Sequence, residues 1–309
     1  MRRAFADNVQ SNVGGKKRGG IPIMQKTLLK LRKHAGNAAT YAILATLGIL
    51  WVLPIFYLVY TAFRVTPNTG IINTLFPSDL RLGFGNFTRL FNDTMFLRWL
   101  GNTLLVATSS CALTTAFILA VSYALSRLRF KMRKPIMNVL LVLGMFPGFM
   151  SMIAVYFILK AMGLTNSLLA LILVYSGSGA LSYYICKGFF DTVPRAMEEA
   201  AILDGASQPM VFWKIILPMA KPIIVYTVLT SFISPWCDFI FVNTIISDRQ
   251  LYTVSLGLYK MINAEKNSFN DNFTVFCAGA FVVGGIIVTL FMSMQRYYVE
   301  GVTSGAVKG

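Results

Sequence analysis

Six long apolar runs alternate with shorter polar stretches along the chain. They fall at about 38–62, 99–126, 136–159, 167–186, 221–246 and 272–295. Each can form a helix of roughly 20 residues, the length that crosses a hydrocarbon layer. Lipid offers the backbone no hydrogen-bonding partner, so a crossing segment closes its bonds within a helix or a barrel. The runs are too long for barrel strands, and the pattern predicts an all-α polytopic membrane protein with six transmembrane helices. Several runs carry interruptions: Pro54 in the first, Pro147-Gly148 in the third, "SGSG" in the fourth, and Pro235, Trp236 and Asp238 in the fifth. The second run is rich in Ser, Thr, Ala and Gly, which suits close packing inside a protein more than contact with lipid.

Composition sharpens this class. Hydrophobic residues make up 56% of the 309 positions and charged residues only 13%, against roughly a quarter charged in soluble domains. The net charge of +16 sits in short blocks beside apolar runs. That placement suits anionic lipid headgroups and not a folded nucleic-acid-binding face. Membrane lipids are expected partners and nucleic acid is not. Cys111, Cys186, Cys237 and Cys277 lie in or beside apolar runs without a CxxC pair, so neither a disulfide nor a structural metal is expected. His34 has no companion ligand.

The first 37 residues are polar and basic, unlike a cleavable signal peptide. They are read as an N-terminal extension, with 1–25 mobile and "MQKTLLKLRKHAG" a surface-lying lead-in. Basic residues then orient the spans. With the termini inside, inner segments hold 20 Lys and Arg and outer segments eight. The positive-inside rule therefore places both termini in the cytoplasm, and the short "RLRFKMRK" connection at 127–134 votes the same way.

This orientation puts 190–220 on the cytoplasmic side, where "DTVPRAMEEAAILDGA" reads as a short amphipathic helix. Pro194 suits its first turn, and Gly205 suits a left-handed end. Ala196, Met197, Ala200, Ala201 and Leu203 share one arc, with Arg195, Glu198 and Glu199 opposite; Ile202 and Asp204 spoil the division. Pro218 and Pro222 predict a turn before the fifth span. From periodicity alone the helix could equally pack on its own bundle or dock on a partner.

The spacing Glu199-Ala200-Ala201, three residues, Gly205, nine residues, Ile215-x-Leu217-Pro218 resembles the EAA loop of ABC importer permeases, which share the MetI-like permease fold. Within them the chain is most similar to carbohydrate-uptake permeases of the MalG-like type from maltose and maltodextrin systems. "SFISPWCDFIF", "LYTVSLGLY" and the tail "RYYVEGVTSGAVKG" support the narrower resemblance. The resemblance implies a multi-pass protein of the bacterial plasma membrane importing maltodextrin-like oligosaccharides. It implies a second homologous, MalF-like permease subunit, two copies of a cytoplasmic MalK-like ATPase, and an extracytoplasmic solute-binding protein. Glu199, Ala200, Ala201, Leu203, Gly205, Ile215, Leu217 and Pro218 are the implied ATPase-coupling residues. Glu199 is expected to orient the helix or pair with a base across the interface. The loop at 247–270 is expected to face the solute-binding protein, and the tail 299–309 to lie between the ATPase subunits.

No GxxxxGK[ST] motif is present, so no enzymatic activity and no cofactor are expected of this chain; ATP and Mg belong to the partner ATPase. Asp238 is a pathway or structural candidate, with the structural role favoured, because a carboxylate within a span normally faces protein or water. Trp236, Tyr183, Tyr184 and Tyr175 are further candidates for sugar contact or packing. Another oligosaccharide or a glycerol phosphate compound remains open as solute. A secondary transporter or a membrane scaffold is the rival class, against which the central motif argues.

Overall fold

The computed structural model describes residues 23–64, 81–145, 148–263 and 268–306. Thirteen helical elements are found among them. They are α1 (Ile23–Phe63), α2 (Gly85–Asn92), α3 (Phe96–Arg127), α4 (Arg133–Met145), α5 (Gly148–Ala161), α6 (Leu168–Gly177) and α7 (Ala180–Thr192). The rest are α8 (Ala196–Leu203), α9 (Gln208–Met219, with a π turn at Phe212–Ile216), α10 (Lys221–Cys237), α11 (Ile240–Ile245), α12 (Val254–Asn263) and α13 (Ser268–Ala306). Two units are distinguished, Met1–Tyr57 and Leu58–Gly309.

In the first unit, the large apolar side chains of α1 from Tyr41 to Phe56 are mostly exposed, as a lipid-facing helix requires. The expected lead-in and first span are one continuous helix from Ile23; of the expected mobile 1–25, residues 23–25 belong to that helix and 1–22 lie outside the described residues.

In the second unit α3 is the spine. Its buried residues Phe96, Trp99, Thr103, Val106, Ser110, Thr114, Ile118, Ser122 and Leu125 recur every three or four positions, the spacing of one helical face. Three apolar clusters hang on that face. Phe96, Trp99 and Ala107 meet Trp236 of α10, Leu258 of α12 and Ala278 of α13. Val106 meets Leu171 of α6, Val242 of α11 and Leu256 of α12. Ile118, Leu119 and Tyr123 meet Phe190 of α7, Ile216 of α9 and Ile223 of α10.

Six spans are present by length and composition if three bent pairs each count as one. α6 and α7 bend by 42° at Ser178-Gly179, and α9 and α10 by 82° at Ala220. The turn that Pro218 and Pro222 predict therefore falls between them. Pro147 lies outside the described residues, and Gly148 starts α5.

In three places the helices depart from the expected bounds. The fifth span, expected as one run over 221–246, ends as α10 at Cys237 and resumes as α11. Pro235 lies two residues before that end, and Asp238 serves the new helix start. The tail expected from 299 is helical through Ala306 as the end of α13. The loop at 247–270 is largely folded: a 3-10 turn at Arg249–Leu251 leads into α12, whose Val254, Leu256, Gly257 and Leu258 are buried.

That segment is strapped to the start of α3. Trp99 Nε1 donates to the Arg249 carbonyl at 3.1 Å, Asn102 Nδ2 donates to those of Gln250 and Tyr252 at 2.8 and 2.9 Å, and the Val254 amide donates to Thr103 Oγ1 at 2.8 Å. Gly257 permits the close approach, since a Cβ there would stand 2.2 Å from the Trp99 ring. Overpacking of this kind costs about 1–3 kcal/mol. Gly257→Ala should lower the thermal midpoint of the detergent-purified protein, and adding Trp99→Leu should restore part of it. An unchanged midpoint in Gly257→Ala would contradict the packing described.

Candidate functional site

The segment joining α7 to α10 starts where α7 runs out of hydrogen bonds. A helix end leaves carbonyls without amide partners. Arg127, the last residue of α3, supplies them: its Nη2 donates to the carbonyls of Phe190 at 2.6 Å and Val193 at 2.8 Å. Next to it, Ser126 Oγ donates to Asp191 Oδ1 at 2.6 Å, and Lys187 pairs with Asp191 one turn along α7.

The Arg127 guanidinium also reaches α8. Its Nε stands 2.7 Å from Glu198 Oε1, with both side chains largely buried. The contact is held by charge, since neither atom completes an aligned hydrogen bond. Burial is the largest influence on Glu198 and pushes its carboxyl above the ordinary value, while Arg127 and then Arg195 pull it back.

α8 itself is one short helix with a defined stop. Pro194 lies just before it, and its carbonyl accepts from the Met197 amide. At the other end the Gly205 amide donates to the Ile202 carbonyl and the Ala206 amide to that of Ala201, a Schellman closure. Gly205 takes φ +87°, the left-handed region that suits glycine.

The faces of α8 differ from the expected division. Glu198 points into the protein, whereas Glu199 is exposed; the intrachain ion pair therefore belongs to Glu198, not to its neighbour. Ala201 is half-buried against the α7–α9 cluster, while Ala200 is exposed. Met197 is exposed, and Leu203 is 88% exposed. This short helix thus turns Glu198 inward and presents Met197, Ile202 and Leu203 outward beside Glu199. Further along, Ile216 is buried, Ile215 and Leu217 are half-buried, and Pro218 is exposed beside the turn at Ala220.

The other candidates lie apart from this segment. Asp238 Oδ2 accepts from the Tyr175 hydroxyl at 3.0 Å, Oδ1 accepts from the Phe241 amide at 3.0 Å, and its carbonyl accepts from Ser255 at 2.8 Å. Each carboxylate oxygen thus accepts one bond, and the bond from Phe241 falls in the first turn of α11. Trp236 is buried in the core. Tyr183 is half-buried near α9, and Tyr184 is exposed. Tyr175 is buried next to the α6–α7 break. The four candidate aromatics do not form one cluster.

Arg127, Ser126, Asp191 and the inward role of Glu198 were not found from the sequence. The usable signal was the doubled acid at 198–199, one of which has to face each side of a helix that is docked on its own chain.

Over residues 112–300 the chain matches the family described as binding-protein-dependent transport system inner membrane component. It is 31% identical to the maltodextrin transport system permease protein MalD of Streptococcus pneumoniae, over 91% of this chain and 99% of that protein. It is 32% identical to the maltodextrin transport system permease protein MdxG of Bacillus subtilis, over 87% and 95%. The galactooligosaccharides transport system permease protein GanQ of the same organism is 29% identical, over 91% and 99%. Among solved structures it is similar to a bacterial ABC transporter involved in the import of the acidic polysaccharide alginate, with a TM-score of 0.74, 19% identity, and 86% and 98% coverage. That likeness shows an all-α ABC importer permease fold.

Removing one member of a buried ion pair costs about 3–5 kcal/mol, because the other charge is stranded. Arg127→Met and Glu198→Met should each open 193–211 to protease in the purified protein. The double variant should be less sensitive than the two single effects predict, with a residual deficit from the uncapped α7 carbonyls. Additive sensitivities would show that the pair is not coupled.

Proposed function

Since the chain belongs to the family of binding-protein-dependent transport system inner membrane components, we propose that it is the MalG-like permease subunit of an importer for maltodextrin-like oligosaccharides. It is a multi-pass subunit of the bacterial plasma membrane and carries no catalytic site of its own. The narrower solute follows the relatives named for maltodextrin, and the relative named for galactooligosaccharides keeps other neutral oligosaccharides as the second reading. A second permease subunit, two ATPase subunits that bind ATP and Mg, and an extracytoplasmic solute-binding protein complete the machine.

The observation that carries the coupling role is the outward apolar face of α8 on a helix held from behind. A helix buried on all sides could not dock, and an unanchored one could not transmit movement. Met197, Ala200 and Leu203 meet a groove on the ATPase, with the small Ala200 allowing close approach. Glu199, exposed beside them, pairs with a base of that partner. Glu198 and Arg127 carry the displacement to α3 and, through the Phe190 and Val193 carbonyls, to α7. Ile215, Leu217 and Pro218 return the chain into α10. Placing α8 in the cytoplasm follows the distribution of basic residues. The strapped segment 247–263 is on the opposite side, facing the solute-binding protein, as a rigid surface rather than a loose loop. The end of α13 lies between the ATPase subunits.

The space around Gly205 is open within this chain. Gly205→Asp therefore introduces backbone strain of about 1–3 kcal/mol together with a charge at the partner groove. In the reconstituted complex it should abolish both uptake and stimulated ATP hydrolysis while the chain stays membrane-inserted. Full coupling in that variant would overturn the assignment of α8. For the solute, maltotriose and a galactotriose are compared by binding to the solute-binding protein and by stimulation of hydrolysis. Preference for maltotriose in both is the expected result.

A further inference from the structure

A cavity of about 130 Å³ opens at the break between α6 and α7. Its walls carry Thr114 of α3, Ser178 at the break, Ser182 of α7, and Thr230, Ser231 and Ser234 of α10. The Tyr175 residue and the Gly179 backbone complete it. Thr114 stands 13 residues from the Arg127 end of α3, or about 20 Å at 1.5 Å per residue. The cavity therefore lies at hydrocarbon depth. Irregular backbone and polar lining at that depth are tolerated only against protein or a water-filled space.

The hydroxyls divide into two sets. Thr114 and Ser178 donate to the Tyr175 carbonyl at 3.2 and 2.9 Å, and Thr230 donates to the Tyr226 carbonyl at 2.9 Å. Their protons are committed, and their lone pairs remain as acceptors. Ser182, Ser231 and Ser234 make no side-chain hydrogen bond among the described residues, so each offers both a donor and an acceptor. Ser178, Thr230 and Ser234 are exposed, and the cavity is open to a ligand. The lining contains no Lys, Arg, Asp or Glu. The Asp238 carboxylate, which accepts from the Tyr175 hydroxyl and the Phe241 amide, is not part of the lining.

From this geometry we propose that the cavity is a subsite for a neutral, polyhydroxylated sugar ring, formed by this permease subunit itself. The proposal rests on the reading of the chain as a sugar-importer subunit. A sugar hydroxyl is both donor and acceptor, which a wall of hydroxyls matches group for group. A uronate or phosphate would meet a polar wall without a counter-charge, and such groups are recognised through Arg, Lys or clustered amides. The cavity thus selects neutral over acidic oligosaccharides within the solute class.

The test uses the complete importer in proteoliposomes, with maltotriose, lactose and raffinose as neutral probes and a triuronate as the charged one. Cys237→Ser removes the exposed native thiol, and Ser231→Cys then reports the cavity to a neutral thiol reagent. The neutral sugar that the wild type imports should slow this labelling at least about threefold, and the triuronate should not. Ser182→Ala and Ser231→Ala should each raise KM for that sugar about three- to tenfold, the effect of losing one neutral hydrogen bond. Hydrolysis stimulated by the loaded solute-binding protein should be retained. Unchanged labelling and unchanged KM, with sugar import intact in the wild type, would show a merely hydrated cavity and overturn the subsite alone. A wild-type complex that neither hydrolyses ATP with nor moves any of the neutral sugars would overturn the sugar-importer reading, and the subsite with it.

Discussion

Everything at the α8 end depends on one buried guanidinium. Arg127 has a delocalised charge and a fan of donors that only Arg provides. It spends two hydrogen bonds on the open end of α7 and its charge on Glu198 of α8. The neighbouring α7 and α8 are thereby fixed to α3, distant in sequence, through a single group at its last residue. Burying the charge is costly, and the pair repays that cost only with good geometry and satisfied neighbours. Its value here is positional: α8 cannot shift without moving a group that α3 and α7 share. A hydrophobic replacement could match its stability and would still lose the two carbonyl bonds.

The same logic continues along α3. Its small residues let α6, α7 and α10 approach closely, and its hydroxyls serve two purposes. Some, such as Ser110, bond back to their own helix. Others reach across to carbonyls near the α6–α7 break: Thr114 to Tyr175 and Ser122 to Tyr183. A broken span is tolerable in a membrane because such donors satisfy the backbone it frees. The serine- and threonine-rich second run is therefore more than a packing surface; it is what permits the fourth run to bend.

Much of the architecture was legible because its cause is local. Span length follows from apolar run length, and the positions of Pro218, Pro222 and Gly205 follow from what those residues do to backbone. The segment proposed for coupling was marked by its spacing, in which Gly205 closes α8. What stayed hidden depends on contacts remote in sequence. Arg127 opens a block of five basic residues, and nothing local distinguishes it from the four that follow. Glu198 and Glu199 are chemically the same, so helical periodicity assigned both to one face, and only the position of Arg127 separates them. The fold of 247–263 was hidden for a similar reason. Its polar and aromatic residues predicted no helix, while its order comes from Trp99, Asn102 and Thr103, some 150 positions earlier. Within the polar cavity, the "SGSG" run marked the break, but the facing hydroxyls of α10 are scattered among apolar residues and show no motif.

Tyr175 places the two ends of the molecule in one frame. Its carbonyl collects Thr114 and Ser178 at the cavity, and its hydroxyl holds Asp238, which in turn starts α11 and accepts from Ser255 of α12. The second broken span is thus tied to the first at the point where each breaks. From that point α7 runs to the carbonyls that Arg127 caps. Arg127 holds α8 to the C-terminal end of α7, and the N-terminal end of α7 reaches the cavity wall formed by Ser178 and Ser182. The opposite wall, Thr230 to Ser234, lies on α10, which follows α9 across a single sharp turn. Both walls therefore end in elements connected to α8, one through Arg127 and one through the chain itself. The second connection turns by 82° at Ala220, whereas the first passes through a side chain. The two walls are thus held to α8 by independent routes, so loss of the Arg127 contacts leaves the α10 wall attached through the backbone.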